Sequence, residues 1–450
     1  MVLNSKSDRN QFQEKSWSKA LLSYAQPKML AMLALGFGSG LPFMMLYSKL
    51  SRWLTDVGVD KATIGAFIFI TLAYSFKFIW APVVDRARIP VLTNWLGQRR
   101  SWMMLAVLGT IIGMIVIAGS DPKPSHLLPI IIGAFITAYS GATLDIAVDA
   151  WRIESGTNEE QANFAAIYQL GYRFAIMAAG YAMIIADVGS WPMTYFTTAA
   201  LMAMIAVVIL VVKEPKKAIR PLPKSFVESI QLNVVEPFID IFKRLGRWMI
   251  PVFALIILYR LSDFTMGVMT QPFYAELGYT KTQVGLVQGT FGPWPMIIGS
   301  FIGGLIVVRY GMMQALLYGA LFMIATNAAF AWLALQEGAV TWKLLVTIFA
   351  DNISLGIVGT GFIAYMSSIA SREYAATQYA LMSSVWSLFN KTAAGFSGYL
   401  YEAVGAFQFF LITALFGIPA ILLLLYIWRY GSALAKGVDA PKENEALSPT

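Results

Sequence analysis

Cysteine is absent from the 450 residues, and histidine occurs once, at position 126. The first absence excludes disulfides, thiolate metal sites and cysteine nucleophiles; the second excludes a histidine metal cluster. Charge is scarce as well, at 13% of residues against about a quarter in soluble domains. Apolar side chains fill the space, at 58%. Runs such as 296–308 and 407–427 approach the roughly 20 residues that cross a ~30 Å hydrocarbon core, so the composition predicts an all-α integral membrane protein. The first 20 residues carry four basic and two acidic side chains and no apolar stretch. A cleaved signal peptide is therefore not expected, and insertion should begin with the first membrane helix.

Apolar stretches and the polar breaks between them predict twelve spans, at about 28–48, 62–82, 101–119, 131–151, 163–186, 193–212, 249–275, 284–308, 312–335, 341–368, 377–400 and 406–429. Twelve spans put both termini on one side. Of the 33 Lys and Arg residues, 23 then fall on that side, including Arg86, Arg88, Arg99, Arg100, Arg152 and the run from Lys213 to Arg247. Six fall opposite (Lys49, Arg52, Lys61, Lys123, Lys281 and Lys343), and four inside spans. The positive-inside rule makes the termini cytoplasmic. The net charge of +8 is thereby spent on topology, and nucleic acid is not an expected partner.

The longest break contains Pro215, Pro221 and Pro223 and divides the spans six and six. The expected organisation is a cytoplasmic segment 1–27, a six-helix bundle 28–212, a cytoplasmic linker 213–248, a second six-helix bundle 249–430 and a cytoplasmic tail 431–450. The halves read as repeats. At an offset of 215, Asn163-Phe164-Ala165 matches Gln378-Tyr379-Ala380, Ala179-Gly180-Tyr181 matches Ala394-Gly395-Phe396, and Asp187 matches Glu402.

A charge at bilayer depth costs at least ~2.5–3.5 kcal/mol and needs a partner or a task. Lys77, Asp145, Asp149, Arg173, Arg260, Asp263, Asp351 and Lys391 are such charges, four basic and four acidic. Asp145 and Asp149, four apart, share a helix face. Two carboxylates so placed repel when ionised, so one can hold and release a proton; with no histidine in a span, carboxylates are the groups suited to proton coupling. Asp149 has a second reading, as a partner of Arg86 or Arg152. Arg260 and Asp263, three apart, can satisfy each other, or Arg260 and Arg173 can face a cavity and receive an anion, since guanidinium forks suit carboxylates and phosphates. Lys77 can snorkel to the interface. Tyr47, Gln271, Gln288, Trp294, Asn327, Asn352, Trp386 and Asn390 are candidates to hydrogen-bond or stack on a sugar. Gly36 to Pro42 implies a kink in the first span.

After the second span comes Pro82-Val83-Val84-Asp85-Arg86, with Gly97-Gln98-Arg99-Arg100 opening the third; Gly304 and Arg309-Tyr310-Gly311 are a reduced copy after the eighth. Two six-helix halves with such loops resemble the major facilitator superfamily, whose halves rock about a site near the midplane. In that resemblance Lys77, Asp85, Arg86, Arg99 and Arg100 brace helix ends in one state. A narrower resemblance, over about residues 28 to 430, is to the AmpG-type muropeptide permeases, with acetyl-coenzyme A transporters as relatives. It rests on Gly36-Phe37-Gly38-Ser39-Gly40-Leu41-Pro42, Thr63-Ile64-Gly65, Phe76-Lys77-Phe78-Ile79-Trp80-Ala81-Pro82-Val83-Val84-Asp85-Arg86, Asp145-Ile146-Ala147-Val148-Asp149-Ala150-Trp151, Gly171-Tyr172-Arg173, Leu258-Tyr259-Arg260 with Asp263, and Ala376-Thr377-Gln378-Tyr379-Ala380-Leu381.

The resemblance implies proton-driven import of anhydromuropeptides, sugar-peptide fragments of the cell wall, across the bacterial inner membrane for recycling, which in some bacteria also governs β-lactamase induction and so antibiotic resistance. It implies a monomer among membrane lipids, no cofactor beyond the proton gradient and no bound metal. Asp145 and Asp149 become the proton-coupling residues. Arg173, Arg260, Asp263, Asp351, Asn352, Asn390, Lys391, Tyr47, Gln271, Gln288 and Trp386 become the substrate-binding set. Acetyl-coenzyme A or another organic anion is the alternative cargo. An enzyme is not expected, and without a Gly-x-x-x-x-Gly-Lys-Ser/Thr phosphate loop the energy should come from an ion gradient, not ATP. The chain departs from the family at Gln288-Gly289, where Asn-Lys is usual, so a substrate cation is missing there. It departs again at Asn390-Lys391, where the basic residue falls one step late, about 100° round the helix.

Overall fold

A computed structural model describes residues 26–155, 161–215, 236–371 and 375–431. The expected N-terminal segment up to residue 25, the linker from 216 to 235 and the tail from 432 lie outside the described residues, as does the side chain of Arg86.

The membrane helices are α1 (Pro27–Asp56), α2 (Lys61–Ile79), α3 (Gln98–Ala118), α4 (Leu128–Ser155), α5 (Asn163–Val188), α6 (Trp191–Val211), α7 (Ile239–Glu276), α8 (Lys281–Tyr310), α9 (Met312–Ala334) and α10 (Thr341–Ile369). They are followed by α11 (Ala375–Gly395) and α12 (Ser397–Tyr430). Eleven of these are long and apolar enough to cross a membrane among the described residues. The one outside that group is α11, at 21 residues long enough to span but lowered in hydropathy by Gln378, Ser383, Ser384, Ser387, Asn390 and Lys391. Two helical runs meet within α12 at Gly405, whose φ of 77° breaks the helix, close to the expected start of the last span.

Local chemistry explains the boundaries. Asp60 caps α2 by accepting from the Thr63 N–H at 2.7 Å, and that bond holds the Asp60 carboxyl below its ordinary range. Ser190 caps α6, with Pro192 in its first turn. Thr280 and Gln283 form a reciprocal capping box at α8. The Gly36–Pro42 stretch stays helical, and the irregularity falls after it, as a π-helical turn over Met45–Lys49. A second π turn occupies Val287–Phe291 in α8. Each widens the helix by one residue and re-aims the side chains around it.

The first span corrects the sequence reading. It runs to Asp56, so Lys49 and Arg52, placed beyond the membrane by the expected boundary at 48, are buried within the helix. A helix that binds its lysine and arginine to polar partners continues through charges that a hydropathy reading takes for its end.

α3 packs chiefly on α4 and α6 and α1 on α5, while α8 packs on α10 and α9 on α10 and α12. Backbones approach closely where small residues allow: a Cβ on Gly36 would lie 2.2 Å from the Tyr168 carbonyl oxygen. The halves meet along two seams, α5 with α8 and α2 with α11 and the start of α12. Gly180 against Gly289 marks the first seam and Gly395 against Phe69 the second, and Gly180 and Gly395 are partners at the offset of 215.

A charged site between the two halves

The loops between successive helices alternate between two ends: a terminal end, where α1 begins and α12 finishes, and a distal end. At the distal end several bonds cross from half to half, beside others such as Arg52–Asp56 that stay within one. Lys61 pairs with Glu276, Lys281 with Asp56 at 3.3 Å, and Arg52 donates to the Tyr279 carbonyl at 3.0 Å. Asp187, at the end of α5, accepts from the Thr282 backbone N–H at 3.0 Å. Glu402 accepts from the Lys61 and Ala62 N–H groups at 2.7 and 3.2 Å. The matched pair Asp187 and Glu402 thus does the same work twice, each carboxylate capping the first turn of a helix in the opposite half, where the helix dipole favours negative charge.

At the terminal end, among the described residues, the bonds stay within one half. Arg99 pairs with Asp85 and Glu154, both at 2.6 Å. Arg100 donates to the Ile209 carbonyl at 2.8 Å, and Glu214 accepts from the Arg99 and Arg100 N–H groups. In the other half Arg244 holds Asp240 at 2.8 Å, the Ile369 carbonyl at 3.1 Å and Gln378 at 2.8 Å. The deepest contacts between halves are Ser75 to Ser387, 2.7 Å between hydroxyl oxygens, and Arg173 to the Met296 sulfur. Nearer the terminal end, no hydrogen bond or ion pair crosses between the halves among the described residues.

The predicted membrane charges gather near the midplane, in two groups. In the first, Lys77 faces Asp145 at 3.4 Å; the other carboxylate oxygen, Oδ1, is buried and has no hydrogen-bond partner. Lys391, from the other half, lies within electrostatic range of both. It is 4% exposed, donates to the Thr71 carbonyl at 3.0 Å, and sits over the Phe43 and Tyr74 rings. Lys77 therefore pairs inward with Asp145, where the sequence also allowed snorkelling. In the second group Arg260 binds Asp263, three residues on, while stacking on Phe264 and Trp386. Asp351 lies within range of that pair and Arg173 within range of Arg260. Of the two readings left open for Arg260, the local pair is the one formed. Arg173, with a thioether for a contact, stays available to an anion.

The two groups are joined by aromatic side chains. Tyr74 meets Phe43, Phe43 stacks on Tyr47, Tyr47 meets Phe264, and Phe264 meets Trp386. The row runs from one half into the other with Lys391 on one end and Arg260 on the other.

Other predicted residues fall elsewhere. Asp149 pairs with Arg152 at 3.4 Å and is half-exposed, one of the two roles read for it. Asn352 donates to the Ile348 carbonyl in its own helix. Asn390 is buried and bonds the Ile257 and Trp386 carbonyls, bracing α11 against α7. Asn327 is buried against Ser262, and Trp294 is 60% exposed on the outer surface of its helix; neither belongs to the site. An apolar hollow of about 990 Å³ lies apart from it, at the terminal end beside Leu30, Trp151, Val207 and Val211. Lys49 is the residue that sequence reasoning missed: its Nζ donates to Gln288 Oε1 at 2.8 Å, bringing a cation from α1 to the position in α8 where one was missing. The i, i+4 and i, i+7 spacing of Phe43, Tyr47 and Leu50 could have signalled that the helix continued past 48.

The family model of the Major Facilitator Superfamily matches residues 29–390. The anhydromuropeptide permease of Escherichia coli K12 is 31% identical over 411 residues, covering 91% of this chain and 81% of that protein. Transporter AmpG 4 of Rickettsia conorii is 31% identical over 409 residues, with 89% and 96% covered. The chain belongs to the AmpG permeases of the major facilitator superfamily. Solved structures agree on the fold. A bacterial homologue of the lysosomal transporter Spinster superposes with a TM-score of 0.67 at 13% identity, covering 90% of this chain and 97% of that one. A D-xylose-proton symporter superposes with a TM-score of 0.64 at 12% identity, covering 90% and 98%. This permease is thus a multi-pass membrane transporter, and its charged groups lie where the two halves of the facilitator fold meet.

Proposed function

We propose that this permease imports anhydromuropeptides from periplasm to cytoplasm across the bacterial inner membrane, as a monomer, by alternating access driven by the proton gradient. The arrangement that carries the reading is the charged midplane site, with bonds that cross between halves on its distal side and none among the described residues on its terminal side. With the termini cytoplasmic, as the Lys and Arg distribution implies, this is the state that releases cargo inward. The permease of Escherichia coli supplies the cargo by likeness. Its chemistry suits the site: carboxylates for Arg173 and for the lysines, and sugar faces for the Tyr47–Phe264–Trp386 row.

Asp145 is the proton carrier in this reading. One oxygen is loosely held by Lys77 and the other has no partner, so the carboxyl can take a proton without dismantling a tight pair. Asp263 also has one oxygen without a partner, but two Arg260 nitrogens hold the other, so its protonation would disrupt a close pair. Asp149, open to the terminal end, passes protons between Asp145 and the cytoplasm. The test is uptake into proteoliposomes under an imposed pH gradient, comparing an anhydromuropeptide, the free disaccharide and acetyl-coenzyme A. Accumulation of the first against its gradient is expected. Accumulation of acetyl-coenzyme A instead assigns the alternative anion, and downhill flux alone removes proton coupling.

A further inference from the structure

Lys49 lies outside the two charged groups and has no carboxylate partner among the described residues, although it is 3% exposed. It lies seven residues inside Asp56, on the order of 10 Å from the distal end of α1 at 1.5 Å per residue. A cation buried at that depth calls for a partner or a task. Its one hydrogen bond, to Gln288 Oε1, leaves two of the three ammonium donors unused.

The surroundings are built rather than incidental. Lys49 closes the π turn Met45–Lys49 and Gln288 lies in the π turn Val287–Phe291, so both side chains are re-aimed by local unwinding, and they meet across the two halves. π turns recur at functional positions because they trade helix regularity for side-chain direction. Gln271, 1% exposed, donates to the same Gln288 oxygen at 3.2 Å, while its own Oε1 is buried with no partner. One turn along α1, Arg52 bonds Asp56 and the Tyr279 carbonyl, yet its Nη1 is also buried and unpartnered. Unused donors and an unused acceptor therefore face each other across a seam that has to part whenever the distal end opens.

We propose that Lys49, with Gln271 and Gln288, forms an anion site on the distal half of the transport path, which takes a carboxylate of the cargo's peptide when the distal ends separate. Gln288 occupies the ammonium while the seam is shut. When it parts, Lys49 exchanges that amide oxygen for a carboxylate, and Gln271 Oε1 accepts an adjacent amide N–H, so the ligand class is an N-acyl amino acid end. Cargo is then caught before it reaches Arg173, and selection for acidic peptides begins at entry. The inference rests on the transport reading for its cargo.

The test uses the full-length chain in proteoliposomes, with an anhydromuropeptide bearing free carboxylates and its fully amidated analogue. Lys49→Ala is expected to raise KM for the free acid at least tenfold with little change in kcat, and to leave KM for the amide unchanged. Lys49→Arg, which keeps the charge, is expected to restore most of the loss. An equal effect of Lys49→Ala on both substrates, or none on either, overturns the proposal. If the wild type moves neither compound, the transport reading falls, and the site is decided by binding. Thermal stabilisation of the purified protein by the acidic stem peptide alone, lost in Lys49→Ala, upholds it; no stabilisation, or an equal one in the variant, rejects it.

Discussion

The two ends of the molecule use the same residue types in opposite ways. At the distal end, carboxylates of one half cap helices of the other, and Lys61–Glu276 and Lys281–Asp56 cross the seam. At the terminal end Arg99, Arg100 and Arg244 tie helix ends to their own half. A bond between halves must break each time the halves rock, so it should be weak and numerous. A bond within a half moves with it and can be strong. Solvent-exposed caps and single ion pairs, worth about 0.5–2 and 0–1 kcal/mol, suit the first task. The two-carboxylate clamp on a mostly buried Arg99 suits the second.

The sharpest way to break this comparison is to make one bond between the halves permanent. Ser75 and Ser387 face each other at 2.7 Å, and the chain has no cysteine, so Ser75→Cys/Ser387→Cys should cross-link under oxidation and abolish uptake. Reductant should restore it. Continued turnover of the cross-linked protein refutes a moving seam.

Next in size is Asp145→Asn, in the midplane site. Accumulation driven by the pH gradient should disappear, whereas exchange of labelled for unlabelled substrate should persist. A variant that still concentrates substrate removes Asp145 from coupling.

Arg173→Ala should weaken binding of the carboxylate substrate by about 1.5–3 kcal/mol, the range for a hydrogen bond to a charged group, roughly ten- to a hundredfold in Kd. Equal affinity of the wild type for charged and amidated substrates would falsify that role.

Arg99→Ala should cost about 1–3 kcal/mol of stability, through two ion pairs lost within one half, read as a lowered Tm in detergent. The orientation of the seam should not change, and a shift in cross-linking of the Ser75/Ser387 pair would count against the division of labour.

The smallest effects belong to the caps. Asp187→Ala and Glu402→Ala each remove a cross-half cap worth about 0.5–2 kcal/mol. Each should bias the protein toward an open distal end, seen as slower cross-linking of that same pair. Because the two residues are related by the repeat, their effects should be similar in size, and a large asymmetry would break the symmetry argument.

Much of the fold was legible because the membrane imposes it. An apolar run of sufficient length has to be a helix there, since a helix satisfies its backbone internally, and the boundary misread was the one where charge continues into the membrane, at Lys49 and Arg52. The charged site was legible because charge is scarce. Seven of the eight predicted membrane charges gather in the two midplane groups, whereas Asp149 turns out toward Arg152. Lys391 was readable as buried but not as the neighbour of Lys77, because a contact between α2 and α11 depends on how the halves dock. Asn352 and Asn390 were not separable from cavity residues, since a side chain bonded to its own helix and one free for a ligand have the same sequence pattern.

By itself the sequence determined the class of the protein, the order of its spans, and the short list of charges placed inside the membrane. These follow from composition and spacing, which act along the chain. Only the tertiary structure decided which charges neutralise each other and which do not: Arg260 is taken by Asp263, while Lys49 is left with an amide and Arg173 with a thioether. That division depends on distances of a few ångströms between residues more than a hundred positions apart, and it is set by the docking of two helix bundles.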